Sequence, residues 1–147
     1  GNYGRAVTHD EMREVYEALK EYNADLTLYA VIYAHELEHE NIPELSPWID
    51  CVNLWVWEKN DLPDLDLIVT KCLATFPGKP IMLGVYMHDY GTSELMMPCD
   101  LLEFQMKKAK EYMEEGKVQD LVILGDREIP KWPAAAATVK RFLDAHC

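Results

Sequence analysis

The run from Leu26 to His39, LTLYAVIYAHELEH, decides how the chain is read, because it begins as a strand and ends in the spelling H-E-x-x-H. Leu26, Thr27, Leu28, Tyr29, Val31, Ile32 and Tyr33 form a nearly continuous apolar block without a helical stripe, which predicts a strand over about 26–34. A block of this kind suits a parallel strand covered on both faces. Beyond Tyr33 the composition turns polar, with His35, Glu36, Glu38, His39, Glu40 and Asn41 ahead of Pro43. A strand ending near Tyr33 delivers these groups to its C-terminal rim, where α/β proteins hold their ligands.

The competing reading makes the motif a helix. His35 and His39 would then lie one turn apart as zinc ligands, with Glu36 acting on a metal-bound water, as in a zinc-dependent hydrolase or metalloprotease. The strand-like residues before the motif, Pro43 after it and the lack of a G-x-x-H extension weigh against that helix. The chain is therefore read with no resident metal or other cofactor, and zinc on His35 and His39 stands as the alternative.

Outward from this stretch, strands and helices alternate. Thr8 and Glu11 have capping-box spacing, and Met12, Val15, Tyr16 and Leu19 give the following helix, about 9–22, one apolar face. IDCVNLWVW (Ile49–Trp57) is the second strand. Asp61 reads as a helix start, with Leu65, Ile68, Val69 and Cys72 or Leu73 facing inward up to Phe76. Pro77, Gly78 and Pro80 punctuate the chain before strand three, IMLGVYMH (Ile81–His88). Asp100 reads as the N-cap of a helix over about 101–115 that buries Leu102, Met106, Ala109 and Met113 and stops at Gly116. Strand four is LVILG (Leu121–Gly125). A last helix, about 133–145, turns Phe142 and Leu143 inward.

This order predicts an α/β domain over 1–147, a (β/α)4 unit of four parallel strands joined by right-handed crossovers. Four strands cannot close a barrel alone, and form either an open sheet or half of an eight-stranded barrel completed by a second copy of the chain. A half-barrel leaves two strand edges and an inner face uncovered, so self-association into a homodimer or other homo-oligomer is expected.

Composition narrows the partners. With 49% hydrophobic and 10% aromatic residues the chain can build a core, and no apolar run reaches the ~18 residues of a membrane span. A soluble protein with no membrane partner and no signal peptide is expected, its compartment left open. Lys and Arg total 14 against 26 Asp and Glu, and the net charge of −12 argues against nucleic acid. Cys51, Cys72, Cys99 and Cys147 contain no C-x-x-C pair, and Cys51 and Cys72 read as core thiols.

The stretches WVWE (Trp55–Glu58), KPIMLGVYMHDYG (Lys79–Gly91) and MPCDLLEFQ (Met97–Gln105), followed by a helix and LVILGD, carry a likeness. Over about 25–147 the chain resembles the C-terminal half of uncharacterised bacterial (β/α)-barrel proteins related to glycoside hydrolases. The resemblance implies a TIM-like half-barrel whose four strands correspond to the last four of eight.

Each strand ends in groups suited to such chemistry. Glu36 follows strand one, Glu58 strand two, Asp89 strand three, and Asp126 with Glu128 strand four. Parallel strands lie ~4.8 Å apart, so rim carboxylates can stand roughly 5–10 Å apart, the range in which one protonates a glycosidic oxygen and another attacks or activates water. Glu36 and Asp89 are the expected catalytic pair, with Glu58 as substitute for either. The plainer reading is that rim acids solvate the strand ends or cap helices, which suffices for Asp61 and Asp100.

Trp55 and Trp57 lie two apart on one side of their strand, and with Trp48, Tyr86, Tyr90 and Trp132 they offer a platform for sugar rings. Core filling is the plainer reading for Trp55 and Tyr86. Trp57, Trp55, Tyr90, His88, His35 and Asp126 are the expected substrate-binding residues. No G-x-S-x-G, G-x-G-x-x-G or P-loop is present, and Gly84 reads as a packing glycine. The functional expectation is a glycoside hydrolase-like protein acting on carbohydrate, with a non-catalytic carbohydrate-binding or assembly module as a further alternative.

Overall fold

In the computed structural model, which describes residues 7–90 and 96–146, four short parallel strands stand side by side in chain order. They are β1 (Tyr29–Tyr33), β2 (Cys51–Trp55), β3 (Ile81–Tyr86) and β4 (Asp120–Leu124). The helices are α1 (His9–Tyr22), α2 (Leu65–Thr75), α3 (Cys99–Glu114), the single turn α4 (Glu128–Lys131) and α5 (Pro133–His146). Tighter 3-10 turns cover Ala34–Glu38, Ile42–Trp48 and Lys59–Asp64. The chain is thus α/β with a four-stranded parallel sheet alternating with helices. No described helix is long and apolar enough to cross a membrane.

Register sorts the strand residues onto two faces. Val31, Asn53, Met82 and Asp120 form one cross-sheet row, and Tyr33, Trp55, Gly84 and Val122 the next row on the same face. The opposite face carries Ala30, Ile32, Val52, Leu54, Ile81, Leu83 and Val85, all buried. With Leu65, Val69, Leu102, Met106, Ala109 and Phe142 from the helices they make one contiguous cluster, which includes the wholly buried Cys72. Burial pushes the Cys72 thiol up to about 12, and Cys51 is raised for the same reason, with the Asp50 charge adding to it.

The first face is largely uncovered. Tyr29 and Val31 are half-exposed, and Leu124 is exposed as well. The expectation that β1 is buried on both sides therefore fails, because helices cover the sheet on one face only and β1 alternates in and out. Near the strand C-termini this face is closed by Trp55, whose indole lies across Gly84. A Cβ added to Gly84 would stand 2.1 Å from that ring, so only glycine fits.

Helix α1 begins as its sequence requires. The Glu11 amide donates to Thr8 Oγ1 (3.2 Å) and the Thr8 amide to Glu11 Oε2 (2.9 Å), the two bonds of a capping box. None of its residues is fully buried, and Val15 is exposed. It rests on the Ile42–Trp48 turn, where Trp48 Nε1 donates to His9 Nε2 (2.7 Å).

Other boundaries differ in instructive ways. Asp61 lies within the Lys59–Asp64 3-10 turn and α2 starts only at Leu65, since Pro63 sits inside that turn. Helix α3 starts at Cys99 behind Pro98, which puts Asp100 in the first turn, where its charge favours the helix dipole without capping. Tyr112, rather than Met113, is buried on α3, and its hydroxyl donates to Asp66 Oδ1 (2.6 Å). On α5 Phe142 is buried while Leu143 is exposed.

Asp50, just before β2, fastens the N-terminal ends together. It accepts from the Leu28 amide (2.8 Å) and the Tyr16 hydroxyl (3.3 Å), and pairs with Lys20 Nζ at 2.8 Å. Burial works to raise its carboxyl, but the Leu28 bond, the Lys20 ammonium and the Tyr16 bond outweigh it and hold the group below its ordinary value of 3.8. A carboxyl lowered in the folded state stabilises above its unfolded value and loses that contribution as pH falls through the folded one. Asp50→Asn is therefore expected to cost about 1 kcal/mol at pH 7, and urea titrations should show the gap to the parent closing below about pH 4.

Candidate functional site

The four strand ends deliver their trailing residues to a single rim. From β1 come Tyr33 and the turn with His35 and Glu36; from β2, Trp57 and Glu58; from β3, His88, Asp89 and Tyr90; from β4, Asp126, Arg127 and the turn α4 with Glu128. Aromatic rings link these ends. Trp57 lies 5.2 Å from Tyr33, 5.9 Å from Tyr90 and 6.2 Å from His35, centroid to centroid. Tyr90 continues to Tyr86 (5.0 Å) and His88 (4.4 Å), and His88 to Trp132 (5.5 Å). Trp55 supports the array from below, 4.5 Å from Tyr86. Trp48 is not part of it, being packed against His9 and Tyr16 of α1.

Two hollows share Trp57 as a wall. One, of about 530 Å³, is lined by Tyr33, His35, Glu36, Glu58 and Asp61 besides Trp57. The other, of about 370 Å³, has Tyr90 and Trp132 as further aromatic walls and His88, Arg127, Glu128 and Lys131 as polar ones. A third hollow of about 600 Å³ lies on the α1 side of the Ala34–Glu38 turn, lined by His9, His35 and His39 among others. It shares His35 and Glu36 with the first but none of the rim's tryptophan or tyrosine rings.

The expected catalytic carboxylates take different positions. Glu36 is half-buried, and its Oε2 accepts the Tyr33 amide at 2.8 Å, so the strand end itself orients the side chain. Glu58 is exposed at the mouth of the same hollow. Asp89 has no solvent-exposed surface, and its Oδ2 pairs with Lys59 Nζ at 3.0 Å, tying the end of β3 to the loop after β2. Glu36 and Glu58, rather than Glu36 and Asp89, share an open hollow.

Among the substrate-binding candidates, Trp57, His88, His35 and Tyr90 border the hollows, whereas Trp55 is buried beneath them. Asp126 is exposed and lines neither. Two residues on, Glu128 enters the second hollow while remaining only 5% exposed. Its Oε1 is 3.7 Å from His88 Nδ1, beyond a direct hydrogen bond, and that buried nitrogen has no hydrogen-bond partner among the described residues. Burial first, then Tyr33 and Tyr90, push the Tyr86 hydroxyl well up, so it stays a neutral phenol beneath the rim.

The H-E-x-x-H run does not form the helix that zinc ligation needs. Ala34–Glu38 is a 3-10 turn, in which residues four apart diverge by about a third of a turn, and His39 already has extended backbone (φ −79°, ψ 130°). No group of three or more His, Cys, Asp or Glu is placed to hold a metal ion among the described residues.

Comparison with protein-family models, curated proteins and solved structures finds no match. Geometry therefore carries the functional argument. Tilted and edge-to-face rings bordering two hollows suit partly apolar ligands bearing hydroxyl groups, and the acids at the rim are able to transfer protons.

The Asp89–Lys59 pair positions the β2 and β3 ends that carry Trp57 and Tyr90. Lys59→Met removes the ammonium from a buried carboxylate, and equilibrium urea unfolding should show a loss of about 2–3 kcal/mol.

Proposed function

We propose that this chain is a glycoside hydrolase-like protein that holds a saccharide across the C-terminal rim of its sheet, with Trp57 at the centre of the binding surface. The observation that carries this reading is the position of Trp57, shared by two hollows that both contain carboxyl groups. A sugar's C–H face packs on an indole, and the flanking hollows offer room for units on either side.

The reaction assigned to the site is cleavage of a glycosidic bond by Glu36 and Glu58. With Glu36 Oε2 engaged by the Tyr33 N–H, Oε1 is the oxygen left to carry a proton to the leaving group. Glu58, open to solvent, is the carboxylate that attacks the anomeric carbon or activates water. Asp89 acts through Lys59 as a positioning residue. On a glycoside panel, Glu36→Gln and Glu58→Gln should each lower kcat by about 10²-fold or more, while Trp57→Ala should mainly raise KM. Unchanged turnover in both carboxamide variants would sink this assignment. Saccharide binding without turnover would instead favour the non-catalytic binding or assembly module, a reading that draws on the four strands supplying only half of a barrel's mouth.

We also infer that the sheet is a TIM-like half-barrel completed by a second copy. Chain-order parallel strands, helices on one face, two edges unpaired among the described residues and the exposed Tyr29, Val31 and Leu124 on the other face all favour closure by pairing. Sedimentation velocity at micromolar concentration should give a dimer of the 17.0 kDa chain, and Val31→Glu should shift it to monomer. A well-folded parent monomer would remove the inference.

A further inference from the structure

The two hollows beside Trp57 differ in charge. The first holds Glu36, Glu58 and Asp61 against the single histidine His35, whereas the second holds Arg127 and Lys131 against Glu128, with His88 beside it. Those cations stand out in a chain of net charge −12. From Arg13 on Asp10 to Lys140 on Asp144, the described lysines and arginines otherwise sit within ion-pair distance of a carboxylate, or, for Lys79 and Arg141, donate to Ile49 O and Thr138 Oγ1. Arg127 and Lys131 have neither kind of partner among the described residues, and both line the same hollow. Even Glu128, close by in sequence, stands toward His88 and pairs with neither of them.

Two cations without a carboxylate partner among the described residues, on one aromatic-walled hollow of an acidic protein, make a positive spot suited to an anion. We propose that this hollow is a subsite for a uronic acid, the sugar's carboxylate meeting Arg127 and Lys131 while its ring lies against Trp132 and Tyr90. The planar guanidinium matches a planar carboxylate with two parallel N–H bonds, and the ammonium adds a point charge. Across Trp57 the Glu36, Glu58 and Asp61 carboxylates repel such a unit, so the neighbouring sugar there is neutral. The substrate class is a mixed saccharide in which a uronic acid is joined to a neutral unit, and this specificity rests on the saccharide reading above.

Isothermal titration of the full chain with a glucuronic acid–xylose disaccharide and with its carboxyl-reduced counterpart tests the subsite. The uronate should bind about tenfold or more tightly than the reduced sugar, and the difference should shrink as salt is raised. Arg127→Gln combined with Lys131→Gln should abolish the difference and leave binding of the reduced sugar unchanged. Both side chains are exposed, and an unaltered melting curve confirms that the double variant folds. Equal binding of the two sugars, or a difference that survives in the double variant, overturns the anionic subsite and leaves the saccharide reading standing. A sulfated neutral disaccharide binding more tightly than the uronate overturns the carboxylate assignment. Binding of none of these sugars overturns both readings.

Discussion

The indole of Trp55 lying on the bare backbone of Gly84 is the contact on which the rim depends. Because Gly84 has no Cβ, the ring crosses onto β3 and closes the upper end of a face that is open lower down. Tyr86 packs tilted against Trp55, Tyr90 meets Tyr86 edge to face, and Trp57 and His88 pack on Tyr90 edge-on and tilted, so the aromatic surface is built upward from that one close approach. A side chain at position 84 would lift Trp55 and unseat every ring above it. The platform is thus a property of strand packing as much as of the loops that border it.

Charge placement gives this surface its direction. Acids cluster after β1 and β2, cations after β4, and Trp57 stands between them. Rigid support accompanies the arrangement: the Tyr33 amide orients Glu36, and Lys59 with the buried Asp89 braces the ends of β2 and β3. The main-chain bond to Glu36 and the buried Asp89–Lys59 pair thus limit the side-chain freedom lost at those positions on binding, while the exposed Glu58, Arg127 and Lys131 would still have to be ordered.

Much of the architecture could be read from the chain because local signals agreed with the tertiary answer. The capping box at Thr8, the apolar runs of the strands and the Pro and Gly punctuation each point to the element that forms. What misled was composition where coverage decides. Tyr29 and Val31 look like core residues, yet the helices cover only the other face. Met113 and Leu143 fit a helical stripe, while Tyr112 reaches the core because Asp66 on a neighbouring helix takes its hydroxyl. Strand-end position was enough to place Glu36, Glu58, Trp57, His88 and Tyr90 at the rim, where they line its hollows. It could not show that Asp89 is buried on Lys59, or that Arg127 and Lys131 lack, among the described residues, the carboxylates that nearly every other described basic residue has found. The first fact concerns a partner distant in sequence, and the second the direction in which Glu128 points, toward His88.

The agreement between strand order and chain order also bears on how the protein reaches its native state. Val31 pairs with Asn53, Asn53 with Met82, and Met82 with Asp120, so every pairing closes a loop of roughly 20–40 residues and no strand must insert between two already formed. Each closure presents a finished edge to the strand that follows. Such a sheet can zip from one side to the other, with loop-closure entropy met in modest instalments, and its outermost strands are left as the least cooperative part of the assembled domain.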